Sequence, residues 1–141
     1  MKSYESSATI NATPAQVWAV LTDGANWPNW DSGVTKVEGG IEPGAKIRVT
    51  SAASPDRTFP VKVTAMTPHS GMTFSGGMPL GLFRGVRTYT LSSTSDSVTE
   101  FRMREEYTGL MLPLIWKSMP DLQPSFDQFA SGLKKRVEGG A

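Results

Sequence analysis

No cysteine occurs among the 141 residues, which excludes disulfides, thiol nucleophiles and thiolate metal sites. A single histidine, His69, sits in the turn-like string Pro68-His69-Ser70-Gly71, where it is solvated. One such residue supports neither a zinc site nor a hydrolytic triad facing a pocket, and the residues call for no metal and no cofactor. Charge of neither sign dominates: the formal net charge is +1 and the basic residues are scattered. No nucleic-acid partner and no anionic membrane is expected from that distribution. No apolar run approaches membrane-spanning length, so no membrane insertion is expected. Met1 to Glu5 lacks the apolar segment of a secretory signal, so a cytoplasmic location is the expectation. Without such a signal, the sequon Asn11-Ala12-Thr13 is treated as chance. There is no linker, repeat or low-complexity stretch, and residues 1–141 read as one domain large enough to bury a core.

What is present is organised around the last third of the chain. Phe126, Phe129 and Leu133 follow one another at helical spacing, preceded by Leu122 and followed by Val137. Asp127, Gln128, Ser131, Lys134 and Lys135 fall on the opposite side, as a half-buried helix requires. Pro113, Pro120 and Pro124 each remove a backbone donor, so the region from Leu112 onward should bend or begin in stages. The basic run Lys134-Lys135-Arg136 complements the dipole at the end of that helix.

Upstream, residues 2–11 alternate as a strand. Thr13-Pro14-Ala15-Gln16 has the composition of a capping box opening a short helix, with Val17, Trp18, Val20 and Leu21 on its buried side. Trp27-Pro28-Asn29-Trp30 forms a second short helix or turn, whose tryptophans plug a core end more readily than they clamp a ligand. Six strands follow, near 34–41, 45–52, 58–66, 71–78, 84–93 and 98–109. The separators are turns such as Pro43-Gly44, Ser54-Pro55-Asp56 and Ser93 to Ser97. Each strand is one hairpin step from the last, which predicts an antiparallel meander.

This order resembles the SRPBCC superfamily, the helix-grip fold of birch-pollen-allergen-like, START and polyketide cyclase/dehydrase-like proteins. The matching words are Ala12 to Trp18, Asp23 to Trp30, Glu106 to Leu112, and Phe126 to Leu133. The resemblance covers essentially the whole chain. It implies an α+β domain, with a seven-stranded antiparallel sheet around a long C-terminal helix and two short helices after the first strand. It also implies an apolar cavity between sheet and helix. Those words are packing and turn words, so they do not settle function.

The final two strands are the most informative about such an interior. Phe101, Met103, Glu105 and Tyr107 share one face, while Glu100, Arg102, Arg104 and Glu106 share the other. Arg87 and Tyr89 fall on the matching face of the preceding strand. With a three-residue loop at Ser95 to Ser97, Leu91 opposes Phe101, Tyr89 opposes Met103 and Arg87 opposes Glu105. A one-residue slip would break the facing of both strands, so parity supports this register. A charged pair is thereby directed inward, tolerable only because it is paired.

The expected lining from the sheet is Phe59, Val61, Phe74, Met78, Phe83, Tyr89, Phe101, Met103 and Tyr107. Trp30, Trp116, Met119 and Phe126 close it from the helical side, and Arg87 and Glu105 form its polar floor. Small inner residues such as Gly76, Gly85 and Gly109, with several of the seven methionines, suit an adaptable hollow. The stretch from Gly76 to Gly85 lacks the lysine of a phosphate loop and is expected to be a mobile, apolar mouth loop offering a homodimer contact. Three functions follow from different classes. The first is binding of a small hydrophobic, lipid- or polyketide-like molecule. The second is a metal-free cyclase or dehydratase with Glu105 as base and Arg87 or a tyrosine as oxyanion stabiliser. The third is a co-chaperone-like protein-interaction module.

Overall fold

A computed structural model describes residues 2–52 and 54–139. Strand β1 (Lys2–Ile10) leads into helix α1 (Pro14–Leu21) and a 3-10 turn over Gly24–Asn29. Strands β2 (Val34–Glu38), β3 (Lys46–Ser51), β4 (Ser54–Thr67), β5 (Gly71–Met78), β6 (Phe83–Ser95) and β7 (Val98–Thr108) follow. Helices α2 (Leu112–Ser118) and α3 (Gln123–Glu138) complete the chain. The seven strands form one antiparallel sheet in the order β1-β7-β6-β5-β4-β3-β2, a helix-grip arrangement.

Local chemistry explains the boundaries. The Thr13 hydroxyl accepts from Gln16 N–H at 3.2 Å, and the Gln16 side chain accepts from Thr13 N–H at 2.9 Å, which is the expected capping box. The proline-rich segment divides the last helical region into α2 and α3, with Met119 in an extended conformation between them. The Asp121 carboxylate accepts from Gln123 N–H at 3.0 Å and so satisfies a donor at the start of α3. Along α3, Phe126, Phe129, Ala130 and Leu133 are buried against the sheet. Gln123 donates to the Glu5 carbonyl at 2.8 Å and Lys134 to the Thr9 carbonyl at 2.6 Å, which ties the polar flank of α3 to β1. Gly132 is needed where α3 crosses Asp31, because a methyl group there would collide with the Asp31 carbonyl oxygen. No helix is long and apolar enough to cross a membrane among the described residues.

Three local expectations are corrected. Ser54-Pro55-Asp56 is the start of β4 rather than a turn, because β4 extends beyond β5 to pair with β3 alone. The connection between β5 and β6 is also shorter than a loop from Gly76 to Gly85. Gly76 pairs with Gly85 and Met78 with Phe83, so the ladder continues nearly to the tip and leaves only a 3-10 turn over Pro79–Gly81. Finally, the β6–β7 turn is tighter than three residues: Ser95 pairs with Val98, and an irregularity between Ser93 and Ser95 absorbs the difference.

Candidate functional site

Parity along β6 and β7 turns Arg87 and Glu105 onto the concave face, and the register sets them directly opposite each other. Arg87 Nε donates to Glu105 Oε1 at 2.6 Å, and its Nη1 makes a long contact of 3.5 Å to the Tyr89 hydroxyl. The guanidinium lies over the Phe126 ring of α3, 4.7 Å from its centroid, which adds a cation–π contact across the interior. Burial alone would lower the Arg87 pKa, but the Glu105 carboxylate, together with Tyr89 and Tyr107, outweighs it and holds the group above its ordinary range. Gly85 is small for a specific reason. A Cβ there would stand 2.7 Å from Glu105 Oε2, so the glycine keeps room for the carboxylate rather than for a hollow.

Both members of the pair remain partly reachable by water: the Arg87 side chain is 29% exposed and that of Glu105 16%. Water therefore reaches the concave face at this row. Next along β7 comes Tyr107, buried, with a hydroxyl that has no hydrogen-bond partner among the described residues. Burial, and then the nearby Glu105 carboxylate, push its pKa up, so it is a neutral O–H donor. Its ring packs against Trp116 at 5.7 Å, Tyr4 at 6.0 Å and Phe83 at 6.1 Å. Trp116 in turn stacks on Tyr4 at 5.3 Å. The site thus brings a buried hydroxyl close to the Glu105 carboxylate and sets both, with the Arg87 guanidinium, within an aromatic frame.

The other half of the interior is filled. Trp27, Tyr89, Phe101 and Phe129 are all buried, and Phe129 lies 5.0 Å from Trp27, 5.8 Å from Tyr89 and 6.2 Å from Phe101. Phe74 packs on Tyr89 at 5.2 Å. Trp27 donates its indole N–H to the Leu21 carbonyl at 3.0 Å, so it serves as a plug. Rings from five elements, the 3-10 turn, β5, β6, β7 and α3, thus fill this part of the hollow expected between sheet and helix. Burial raises the Tyr89 pKa, consistent with a closed surrounding.

The sequence-predicted lining divides accordingly. Arg87, Glu105, Tyr107, Phe126 and Trp116 come together, with Phe74 opposite Arg87 on β5. Val61, Phe83 and Met119 are half-buried. Tyr89, Phe101 and Met103 belong to the packed core, and Trp30 rests on Phe129 at 5.2 Å with its indole N–H unpartnered among the described residues. Phe59 and Met78 are exposed, contrary to their expected inward role. Their parity is right, but Phe59 lies on the overhang of β4 and Met78 at the last residue of β5, beyond the cover of the helix. His69 is exposed at the β4–β5 turn.

The expectation omitted Tyr4, which the β1–β7 register sets opposite Glu105. Only the pairing of the first strand with the last reveals it, and no hairpin loop fixes that pairing in the sequence. Two shallow recesses also mark the surface, one of about 440 Å³ bordered by Met78, Leu80 and Arg84, the other of about 260 Å³ over Met66, Thr73 and Thr88. Neither is lined by Arg87 or Glu105.

Residues 1–138 match the family model described as polyketide cyclase / dehydrase and lipid transport. No curated protein sequence matches significantly. Among solved structures, an aromatase/cyclase named Zhui from a Streptomyces species superposes with a TM-score of 0.75 at 11% identity, over 97% of this chain and 93% of that one. A point mutant of norcoclaurine synthase from Thalictrum, in complex with a transition-state analogue, gives a TM-score of 0.73 at 15% identity, covering 99% and 95%. A Deinococcus radiodurans protein gives 0.69 at 17% identity, covering 100% of both chains. At these identities the superpositions speak for the fold alone.

Proposed function

Since the chain belongs to the polyketide cyclase / dehydrase and lipid transport family, we propose that it binds a small, largely apolar molecule bearing an oxygen function. That molecule enters the concave face beside Arg87, Glu105 and Tyr107. One observation supports this most: a charged pair on the inner face stays within reach of water beside a buried hydroxyl that lacks a partner. A charged pair within reach of water can also meet a ligand's oxygen, and an unpartnered buried hydroxyl costs stability unless something accepts its proton. A carbonyl or phenolic oxygen accepting from Tyr107, with its ring between Trp116 and Phe126, would satisfy both conditions.

The test is uptake of an apolar fluorescent probe such as anilinonaphthalene sulfonate, together with native mass spectrometry of gently purified protein. Arg87→Ala and Tyr107→Phe should each weaken uptake by about 10-fold, a loss in line with one charged or buried hydrogen bond. Unchanged uptake in both variants would place the ligand elsewhere. No uptake, with a stable protein partner recovered instead, would favour the interaction module.

A cyclase or dehydratase is the second reading, favoured by the carboxylate, guanidinium and hydroxyl lying on adjacent rows of one face. Glu105 would take a proton from the substrate, while Tyr107 or Arg87 stabilises the developing oxyanion. Substrate turnover that collapses in Glu105→Gln while binding persists would establish it.

A further inference from the structure

Two segments that are far apart in sequence meet at the open end of the molecule. Met111 N–H donates to the Leu82 carbonyl at 2.8 Å, and Arg84 pairs with Thr108, so the β5–β6 tip and the β7–α2 connection form one surface. Leu80, Leu110 and Leu114 stand out from it at 94%, 85% and 64% exposure. Leu80 is held with φ at 60°, a left-handed conformation unfavourable for a branched side chain, which projects it from the tip. Neither Met78 to Arg84 nor Thr108 to Lys117 contains an acidic residue. The charges at this end are instead Arg84 and Lys117, with Lys2 brought beside them as its ammonium lies 5.7 Å over the Trp116 ring. The nearest acid beyond α2, Asp121, is engaged by Gln123 N–H.

We propose that this end docks on an anionic lipid surface, with Leu80, Leu110 and Leu114 entering the headgroup boundary and Lys2, Arg84 and Lys117 facing the lipid charges. Protruding leucines with cations beside them match that chemistry, in which apolar burial and attraction to anionic headgroups act together. Arg84 Nε also donates to Ser75 Oγ at 3.1 Å, and Glu106, the acid one same-face row along from Arg84, is held by Arg104. A protein surface would have to supply acids at three points around an apolar patch; an anionic bilayer supplies both everywhere. The cations are scattered along the sequence, so only the folded chain gathers them. The docking does not depend on what binds beside Arg87 and Glu105.

Co-sedimentation of the full chain with phosphatidylglycerol/phosphatidylcholine vesicles tests it, against pure phosphatidylcholine vesicles at low and high salt. The expected result is pelleting with anionic vesicles that weakens as salt rises. Binding should fall about 10-fold or more in Leu80→Asp/Leu110→Asp/Leu114→Asp and to a similar degree in Lys2→Gln/Arg84→Gln/Lys117→Gln. All six positions are exposed, and unchanged circular dichroism and melting would show that the variants fold. Arg87→Ala should pellet like the parent chain. Equal pelleting with neutral vesicles, or none with either, overturns the proposal. So does a dimer in sedimentation velocity that the leucine variant dissociates without any vesicle binding, since the patch would then meet a second copy.

Discussion

Adjacent cross-strand rows of the sheet meet α3 in opposite ways. The row Met72–Tyr89–Met103–Ser6 lies in the packed part of the interior, where Tyr89 and Met103 are buried against the core. One step along, Phe74–Arg87–Glu105–Tyr4 carries an ion pair that water still reaches. The same pleat and the same covering helix produce a sealed core on one side and a partly exposed ion pair on the other. The difference lies in what α3 and its neighbours bring. Phe129 meets Trp27, Tyr89 and Phe101, whereas Phe126 meets a guanidinium. Stability should therefore concentrate in the first row and binding in the second.

The strongest way to break that division is to remove its central ring. Phe129→Ala should cost about 3–5 kcal/mol, measured by denaturant unfolding, because it leaves a cavity among rings that cannot collapse together. A cost below about 1 kcal/mol would mean that the inner half is already hollow, contrary to the packing described.

Glu105→Ala comes next, at about 1–3 kcal/mol, since it strands the Arg87 guanidinium on an apolar face. The partial exposure of Arg87 keeps the cost toward the low end. Replacing both partners, Arg87→Met with Glu105→Leu, should recover most of that loss while abolishing probe uptake. If the double variant still takes up the probe as before, the polar row is structural and the contrast between rows loses its functional side.

Tyr107→Phe should change stability at neutral pH by no more than about 1 kcal/mol, and in the stabilising direction, because the hydroxyl it removes has no partner. Its alkaline behaviour is the sharper reading. The folded-state pKa is raised above the ordinary value of 10.0, so the associated stability is fully present below that value and is lost as pH rises beyond it toward the folded pKa. Unfolding curves taken above pH 10 should therefore fall less steeply in Tyr107→Phe than in the parent. Identical slopes would leave Tyr107 without the closed surrounding described for it.

Much of this arrangement was legible in the sequence, but not all for the same reason. The Arg87–Glu105 pairing followed from an assumed three-residue loop supported by parity, and it survived the incorrect loop length because the irregularity near Ser93–Ser95 restored the register. The capping box at Thr13 and the staged start of the last helix were equally readable, because caps and prolines act locally. Alternation tells which face a side chain takes, not what stands above it. Hence Phe59 and Met78 were placed inside although no helix covers them, and the interior was expected hollow although Trp27 and Phe129 converge there from distant segments. The glycine at 85 was correctly seen as small, yet its space belongs to the carboxylate of Glu105, a neighbour 20 residues away.

The convex face supplies the smallest effect and the cleanest reference for the concave one. There Glu5 bridges Arg102 at 2.6 Å and Arg104 at 3.0 Å, the same ion chemistry as Arg87–Glu105 but open to solvent. The Arg104 hydrogen bond, opposed by partial burial and aided by Arg102, holds the Glu5 carboxyl below its ordinary value of 4.5. A depressed carboxylate contributes stability that is fully present above 4.5 and lost as pH falls through its folded value. Glu5→Gln should therefore destabilise by about 0.2–1 kcal/mol at neutral pH, less in high salt, and by nothing measurable once the parent carboxylate is protonated. If Glu5→Gln costs as much as Glu105→Ala, the lower exposure of the concave pair has no energetic consequence, and the two faces would have to be treated as equally wet.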